Sequence, residues 1–287
     1  MNARRSHSLV ILAAGQAKRY GGLKPLAPVG PRGEAIVDLV ASDAVAAGFD
    51  SLVVVISPTT GPQIREHVEA HWPADLDLRF AVQESPRGTV DAVLSAWESL
   101  DGAGRFGVAN ADDLYGPSAL RILAQHLDDE GTESALVGFR LENAVIGSSP
   151  VTRGICRIGP AGYLAHIEER RGVTRRDDGT FTTGDERTPA VLAGDTLVSM
   201  NLWVFSLSLE EEFRGAMDDA GEGEVLLPEL VGQVIRGSEP TCRFKVLPTD
   251  SRCVGVTHPD DLELVQAHVA EQISRGERPA APWAERD

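Results

Sequence analysis

The feature that most constrains the fold is an alternation of short apolar runs with amphipathic segments through the first 130 residues. The apolar runs predicted to be strands are Ser8–Ala14, Ser51–Ser57, Leu78–Gln83 and Arg105–Asn110. The segments with helical spacing are Glu34–Ala47, Gly61–His71, Thr89–Leu100 and Pro117–Asp128. Strands that alternate with helices of this length predict βαβ units around a parallel sheet. The uninterrupted run Leu52–Ile56 is typical of a strand that is buried on both faces.

The second half of the chain is less regular. Strands are predicted at Ser134–Leu141, Gly154–Ile158, Tyr163–Ile167 and Leu197–Phe205, and helices at Leu207–Met217, Glu224–Arg236 and Pro259–Arg275. The charged segment Arg170–Arg187 is predicted to be a mobile loop unless a ligand orders it. We expect one continuous domain over residues 1–275, divided near residue 130, and a loosely held tail at 276–287, which is rich in Pro, Ala and charge.

Composition limits the classes of partner. The chain has 287 residues, of which 42% are hydrophobic, so it can bury a core. Its formal net charge of −16 disfavours nucleic acid and anionic membranes, and no apolar run approaches the ~20 residues of a membrane span. Three cysteines without a CxxC pair indicate buried free thiols rather than zinc or disulfides. We expect a soluble cytoplasmic protein whose phosphate-binding charge, if any, is local.

A glycine-rich loop follows the first predicted strand, where α/β sheets commonly bind ligands. Three glycines there allow backbone N–H groups to approach phosphate oxygens: Gly15, Gly21 and Gly22. Arg19 and Lys24 supply positive charge. The loop matches neither the GxxxxGK[ST] nor the GxGxxG pattern. Taken alone, it predicts either a phosphate cradle or a simple turn with surface cations.

A polar segment, Gln83–Thr89, ends the third predicted strand and opens a helix. The Gln83 amide offers a donor and an acceptor, which would match the edge of a uracil- or thymine-like ring. Gly88 at a helix start permits close approach by a flat base or a phosphate. The alternative is an ordinary polar strand end followed by an ordinary helix start.

Two adjacent carboxylates, Asp112 and Asp113, follow the fourth predicted strand. Carboxylate oxygens at this edge of a sheet suit Mg²⁺, which prefers oxygen ligands and shares them with substrate phosphates. Without further context, an Asp-rich helix cap before Pro117 would be the favoured explanation.

These segments together resemble a known family. The run Leu12-Ala13-Ala14-Gly15 … Arg19 … Gly22-Leu23-Lys24-Pro25-Leu26 is similar to the signature of sugar-phosphate nucleotidyltransferases, and to bacterial NDP-sugar synthases in particular. The resemblance runs from about Leu9 to about His268. It implies a three-layer α/β/α, Rossmann-like (GT-A-like) fold with a mixed, mostly parallel central sheet. It also implies a nucleotide-binding half at 7–130 and a sugar- or acceptor-binding half at 131–275.

The resemblance assigns roles to residues. Those implied to be catalytic are Arg19, Lys24 and Asp112. Those implied to bind the nucleotide are Leu12, Ala13, Ala14, Gly15, Gln83, Pro86, Gly88, Thr89 and Asn110. Those implied to bind the sugar phosphate are Gly154, Glu169, Arg170 and Asn201.

The metal site departs from the family pattern. The resemblance implies that Asp112 binds Mg²⁺ and that Asp113 lies beside it. Gly255 stands about where the family often has a second metal-binding Asp. Either Asp250 substitutes for that carboxylate, or substrate phosphates and water complete the metal shell.

The implied reaction joins a nucleoside triphosphate, with UTP or dTTP favoured, to a sugar 1-phosphate and releases pyrophosphate. Its nucleophile is already an anion, so no general base is required. Three alternatives stay open: transfer to a polyol, cyclitol or choline phosphate, a catalytically silent nucleotide-sugar sensor, and a GT-A glycosyltransferase. The family often assembles through its second half, so a homo-oligomer is compatible with the resemblance.

Overall fold

A computed structural model describes residues 7–15, 22–100, 104–147, 149–237, 243–256 and 259–283. The strands are β1 (Ser8–Leu12), β2 (Ser51–Ile56), β3 (Asp77–Val82), β4 (Arg105–Asn110), β5 (Asp113–Leu114), β6 (Ser134–Arg140), β7 (Val151–Ile158), β8 (Leu164–Arg175), β9 (Phe181–Thr182), β10 (Val191–Leu192), β11 (Leu197–Ser206), β12 (Phe244–Thr249) and β13 (Val254–Gly255). The α-helices are α1 (Ile36–Ala47), α2 (Gly61–His71), α3 (Thr89–Ala96), α4 (Pro117–Asp128), α5 (Leu141–Ala144), α6 (Glu210–Ala220), α7 (Leu227–Val234) and α8 (Asp261–Ser274).

One large mixed sheet runs through both halves of the described chain. Its order is β10-β9-β8-β7-β11-β4-β1-β2-β3, and β6 joins β11 to β12. The strands of the first half, β3-β2-β1-β4, are all parallel, as the alternation of strands and helices predicts. β11 then pairs antiparallel with β4, β6 and β7, while β12 returns parallel to β6. The sheet is therefore continuous across residue 130.

Helices cover both faces of this sheet, which confirms the three-layer Rossmann-like fold. One buried cluster joins the sheet to α1, α2 and α4, and another joins it to α3, α6 and α7. A third cluster packs α8 and the two-stranded ribbon β13–β5 against the outer side of α1. None of the helices within the described residues is long and apolar enough to cross a membrane.

Periodic segments were predicted well, and segments without strong periodicity were not. The bounds of β4, α2 and α4 coincide with the predictions. The helix predicted over Thr89–Leu100 ends as an α-helix at Ala96 and continues as a short 3₁₀ turn. β12 was not predicted at all. Its Pro248 and the charge of Lys245 obscure the apolar pattern of a strand. Pairing with β6 stabilises β12 in the folded chain.

The prediction of a mobile loop at Arg170–Arg187 is wrong. β8 continues to Arg175, and β9 pairs with its end. The buried Arg170 guanidinium binds the Asp185 carboxylate, with Nη2 and Oδ1 2.7 Å apart. This ion pair fixes the segment around Asp185 to β8. The composition of the segment does not reveal the pairing.

The prediction of a loosely held tail is also wrong for its described part, 276–283. Arg278 is 3% exposed and its Nη2 lies 2.6 Å from Oδ2 of the buried Asp43. The Trp283 ring packs against Trp72 with centroids 5.6 Å apart. Burial raises the pKa of Asp43 to about 6 even though Arg278 opposes the shift. The tail therefore docks on α1 and α2.

Candidate functional site

The site lies where the parallel strands β1 and β4 end side by side. Leu12 is the register partner of Asn110, and the Ala111 N–H donates to the Leu12 carbonyl at 3.1 Å. Ala13 and Ala14 are buried beyond β1, whereas Gly15 is exposed, and a Cβ there would meet no atom of the described residues within 4 Å. The sequence-predicted loop therefore begins directly beside the residues that follow β4.

Lys24 and Asp112 meet across this edge. A 3₁₀ turn at Lys24–Leu26 with a buried Pro25 positions the lysine, whose Nζ lies 3.5 Å from Asp112 Oδ2. The two side chains are 22% and 31% exposed. Burial and the neighbouring Asp113 raise the pKa of Asp112, and Lys24 opposes that shift. Arg19, which was predicted to join them, lies outside the described residues.

Asp113 fills the space that a side chain at position 255 would need. β5 and β13 pair so that Asp113 faces Gly255. A Cβ on Gly255 would overlap the Asp113 carboxylate and lie 2.9 Å from the Asp112 carbonyl oxygen. Asn110 Nδ2 donates to Asp113 Oδ2 at 2.9 Å. The Asp113 carboxylate thus occupies the space that a side chain at position 255 would take.

A buried tyrosine joins this edge to β11. The Asn110 N–H donates to the Tyr115 hydroxyl at 2.8 Å, and that hydroxyl donates to the Met200 carbonyl at 3.0 Å. Burial raises the pKa of Tyr115 well above its ordinary value, so the phenol stays protonated as a donor. It holds the end of β4 against the irregular stretch of β11 near Asn201.

A cavity of about 110 Å³ opens between the two halves of the chain. It is lined by residues predicted from both halves: Thr89, Asn110, Gly154, Glu169 and Asn201. Asn201 adopts a left-handed backbone with φ of 57°, at a register shift of β11 between Ser199 and Trp203. Such a conformation is rare for a residue other than glycine and re-aims the side chain.

Glu169 is the acidic side chain of this cavity on β8. Burial and the nearby Glu229 raise its pKa, and Arg171 and Arg187 oppose the shift. Glu169 also lines a larger cleft of about 890 Å³ between β8, α6 and α7. Because Glu169 and Pro228 line both, the cavity adjoins this polar cleft.

The segment predicted to bind the base lies at the same edge, at the end of β3. Gln83 is 6% exposed, and its Nε2 donates to the Gly88 carbonyl at 3.0 Å and to Asp91 Oδ2 at 2.9 Å. Gly88 has φ of 92°, and a Cβ there would overlap the backbone of Val225. Glycine is thus required at position 88 by the α6–α7 connection, a reason that the sequence did not reveal.

The other two predicted residues of this segment differ in accessibility. Pro86 is exposed. The Thr89 hydroxyl accepts from the Leu227 N–H at 2.9 Å, so it caps the start of α7 while it lines the cavity.

Comparison with known proteins places this geometry in a family. Residues 9–179, more than half of the chain, match the MobA-like NTP transferase domain. The chain belongs to that family. Nucleotidyl transfer is the activity of that family.

Individual relatives agree with this assignment. The chain is 30% identical over 175 residues to the bifunctional protein GlmU of Hyphomonas neptunium, a match that covers 60% of this chain but 36% of the relative. The inositol-1-phosphate CTP transferase of T. maritima has a TM-score of 0.66 at 12% identity, covering 93% and 98% of the two chains. HddC of Yersinia pseudotuberculosis, solved with GMP-PN, has a TM-score of 0.60 at 15% identity, covering 91% and 99%. The chain spans about a third of the GlmU relative, and the two structures show the shared fold.

Arg170 of the NTP transferase does not reach the cavity as the resemblance implied. Its side chain is 1% exposed, and Nε and Nη2 both bind Asp185. Nη2 also donates to Thr183 Oγ1 and to the carbonyls of Arg187 and Pro189. The neighbouring Glu169 points to the other face of β8, because successive side chains of a strand alternate.

Asp250 is likewise absent from the site. Its carboxylate, 85% exposed, accepts from Arg140 Nε at 2.7 Å beyond the end of β12. It lines clefts that contain neither Asp112 nor Asp113. The prediction that Asp250 replaces a metal ligand is therefore not supported by its position.

Sequence reasoning missed Arg153, which lines the cavity from β7. Its Nε and Nη2 donate to the Ala144 carbonyl, and Nη1 donates to the Thr152 carbonyl at 2.8 Å. Burial lowers the pKa of Arg153, and Asp113 opposes that shift. Its place just before the predicted Gly154 was the available signal.

Proposed function

We propose that this NTP transferase moves a nucleotidyl group from UTP or dTTP to a sugar 1-phosphate and releases pyrophosphate, with Mg²⁺. The observation that carries the proposal is the shared cavity, in which Asn110 and Asp113 from the first half face Gly154, Glu169 and Asn201 from the second. We further propose that residues 7–130 bind the nucleotide and residues 131–275 bind the acceptor.

The donor set fits a hard divalent cation. Asp112 and Asp113 would hold Mg²⁺ through carboxylate oxygens, and Asn110 orients the second carboxylate. Within the described ranges, no group of three His, Cys, Asp or Glu side chains is arranged to hold a metal. Phosphate oxygens and water would therefore complete the shell, as is usual for Mg²⁺. When bound, the cation would neutralise phosphate charge.

The chemistry needs positioning and charge rather than a base. An oxygen of the acceptor phosphate forms a bond to the α-phosphorus while the α–β bridging P–O bond breaks, and pyrophosphate leaves with those electrons. The acceptor oxygen is already anionic, so no proton has to be removed. Lys24 would stabilise the phosphates, and Glu169 and Asn201 would orient acceptor hydroxyl groups through hydrogen bonds.

Transfer to a non-sugar phosphate is the second candidate. One structural neighbour is by name an inositol-1-phosphate CTP transferase, so the fold itself admits a cyclitol phosphate. The presence of Lys24 beside Asp112 argues against the silent sensor, and the Lys24-bearing loop against a GT-A glycosyltransferase.

A screen of nucleoside triphosphates against sugar 1-phosphates and polyol, cyclitol and choline phosphates, with pyrophosphate as the readout, tests both candidates. We expect release to require Mg²⁺ and one acceptor class. The proposal would be contradicted if none of the acceptors supported pyrophosphate release, even when the nucleotide binds.

A further inference from the structure

A second cleft lies between α4, α8 and the segment that follows β12. Its volume is about 720 Å³, which is in the range of small-molecule pockets. Among the described residues, it shares no lining residue with the cavity between the two halves, and neither Lys24 nor Asp112 lines it. A ligand bound here would therefore be separate from the proposed nucleotidyl-transfer site.

The start of α4 forms one wall of this cleft. Gly116 is the N-cap residue, with φ of 80°, and no described side chain caps the helix. The N–H groups of the first helical turn have no acceptor within the helix, and the helix dipole adds partial positive charge at this end. A helix start of this kind favours an anion, provided that the side chains around it supply donors as well.

Gln272 presents a donor without a partner to the same space. Its Oε1 accepts from Arg278 Nε at 3.1 Å, and because a guanidinium only donates, the other end of the amide must be the nitrogen. The side chain is 5% exposed and lines the cleft, yet Nε2 donates to none of the described residues. It lies 3.5 Å from the position that a Cβ on Gly116 would take. A buried donor left in this state indicates a polar ligand.

Two serine hydroxyl groups supply a further donor. Ser118 Oγ and Ser251 Oγ lie 2.7 Å apart, and Thr249 Oγ1 donates to Ser251 Oγ at 3.1 Å. The two serines have two hydroxyl hydrogens and share one hydrogen bond, so one hydrogen remains for a ligand whichever serine donates. Ser251 Oγ is 3.7 Å from the same Cβ position on Gly116. The serine pair and the Gln272 amide thus border one small space.

The charged side chains of the cleft leave a positive excess. Its three carboxylates are each paired with an arginine: Asp250 with Arg140, and Glu271 and Glu277 with Arg275. Arg121 and Arg252 also line the cleft, and neither side chain forms an ion pair or hydrogen bond with the described residues. In a chain with a formal net charge of −16, two such guanidinium groups in one cleft favour an anionic ligand.

We propose that this cleft binds the phosphoryl group of a small phosphorylated molecule at the start of α4. Gln272 Nε2 and a serine hydroxyl would donate to it, and Arg121 and Arg252 would neutralise its charge. A phosphate has enough acceptor oxygens to satisfy donors that come from several directions, and guanidinium groups match its geometry. The rest of the cleft leaves room for the remainder of the molecule. The inference does not depend on the proposed function.

Titration of the unmodified, isotope-labelled chain with inorganic phosphate tests the site directly by NMR. The readout is the side-chain amide pair of Gln272, identified as the pair that is missing from the spectrum of Gln272→Glu. We expect a saturable shift of this pair at millimolar phosphate, because Nε2 gains an acceptor. No shift, or an equal shift with chloride at the same ionic strength, would overturn the inference.

Arg252→Met is the second test, since Arg252 is exposed and the substitution should leave the fold intact. We expect the dissociation constant for phosphate to rise about tenfold or more, because a charge-assisted hydrogen bond is lost. Arg214→Met is the matched control, which removes an exposed arginine on α6 and should leave the constant unchanged. Equal effects of the two variants would show that only overall charge matters, and would overturn the inference.

Gln272→Glu is the third test. One oxygen of the introduced carboxylate would still accept from Arg278, while the other would replace Nε2 and repel an anion, so phosphate should bind about tenfold or more weakly. Unchanged binding in the folded variant would overturn the inference. If thermal melting shows that the variant is unfolded, calorimetric titration of Lys24→Ala with and without Arg252→Met decides. Lys24→Ala should retain the phosphate site, and loss of binding in Lys24→Ala alone would assign the phosphate to the sheet edge instead.

Discussion

Two pairs of opposite charges, one at the sheet edge and one under β8, are built differently. Lys24 Nζ lies 3.5 Å from Asp112 Oδ2, and both side chains keep more than a fifth of their surface exposed. Arg170 lies 2.7 Å from Asp185, is 1% exposed, and also donates to Thr183 and two carbonyl oxygens. The first pair is partly open to solvent, whereas Nε and Nη2 of Arg170 in the second pair are bound by the protein.

Residue type and strand position do not by themselves predict whether a side chain is available to bind a ligand. Arg170 and Lys24 are both cations that the family resemblance assigns to phosphates. Lys24 is held by a short turn at the edge of the sheet, where it contacts one described carboxylate. Arg170 faces the side of β8 on which Asp185 folds back, so its Nε and Nη2 donors bind the protein itself.

The largest expected effect on turnover is at the Lys24–Asp112 pair. Asp112→Asn and Lys24→Ala should each lower pyrophosphate release by about 100-fold or more, because each removes charge that is aimed at the phosphates. Thermal melting should show an intact fold. Asp250→Asn, which removes an exposed carboxylate outside the site, is the control and should keep full turnover. Near-normal turnover in both site variants would show that the site is elsewhere.

The Arg170–Asp185 pair should act on stability. Arg170→Met leaves Asp185 without its main partner and should lower the free energy of unfolding by about 3 kcal/mol, measured by urea denaturation. Arg214→Met breaks an exposed i,i+4 pair with Glu210 and should cost about 0.5 kcal/mol or less. A stable Arg170→Met enzyme with a raised acceptor KM would instead support the phosphate-binding role implied by the resemblance.

The same pair should make stability depend on acid. The bonds from Arg170 hold the pKa of Asp185 well below its ordinary value. Its stabilisation is thus fully present above the unfolded pKa of about 4 and is lost as the pH falls towards the folded pKa. The difference in unfolding free energy between the parent and Asp185→Asn should therefore shrink from pH 7 to pH 3. A difference that is constant over this range would rule out the charged pair as its source.

A smaller effect is expected at Gly255. Gly255→Ala places a Cβ where the Asp113 carboxylate lies, so it should displace that carboxylate and raise the Mg²⁺ concentration for half-maximal turnover about tenfold. Gly131→Ala is the matched control, since a Cβ there meets no atom within 4 Å. If Gly255→Ala behaves like the control, Asp113 does not contribute to the metal site.

Much of the fold and part of the site could be predicted from residues that are close in sequence. The apolar periods of β4, α2 and α4 predicted their bounds, and the polar residues after β1, β3 and β4 predicted the sheet edge. Parallel strands bring their carboxyl ends together, so Lys24, Gln83 and Asp112 were expected at one edge.

What the sequence by itself determined, then, was the layered fold and the sheet edge at which the polar segments meet, because these follow from local periodicity and strand direction. Only the tertiary structure decided which polar groups remain available. Asp185 forms an ion pair with Arg170, Asp113 occupies the space beside Gly255, and Asp91 accepts a hydrogen bond from Gln83. Each of these contacts joins residues that are brought together only by folding, because buried polar groups form hydrogen bonds with the partners packed beside them.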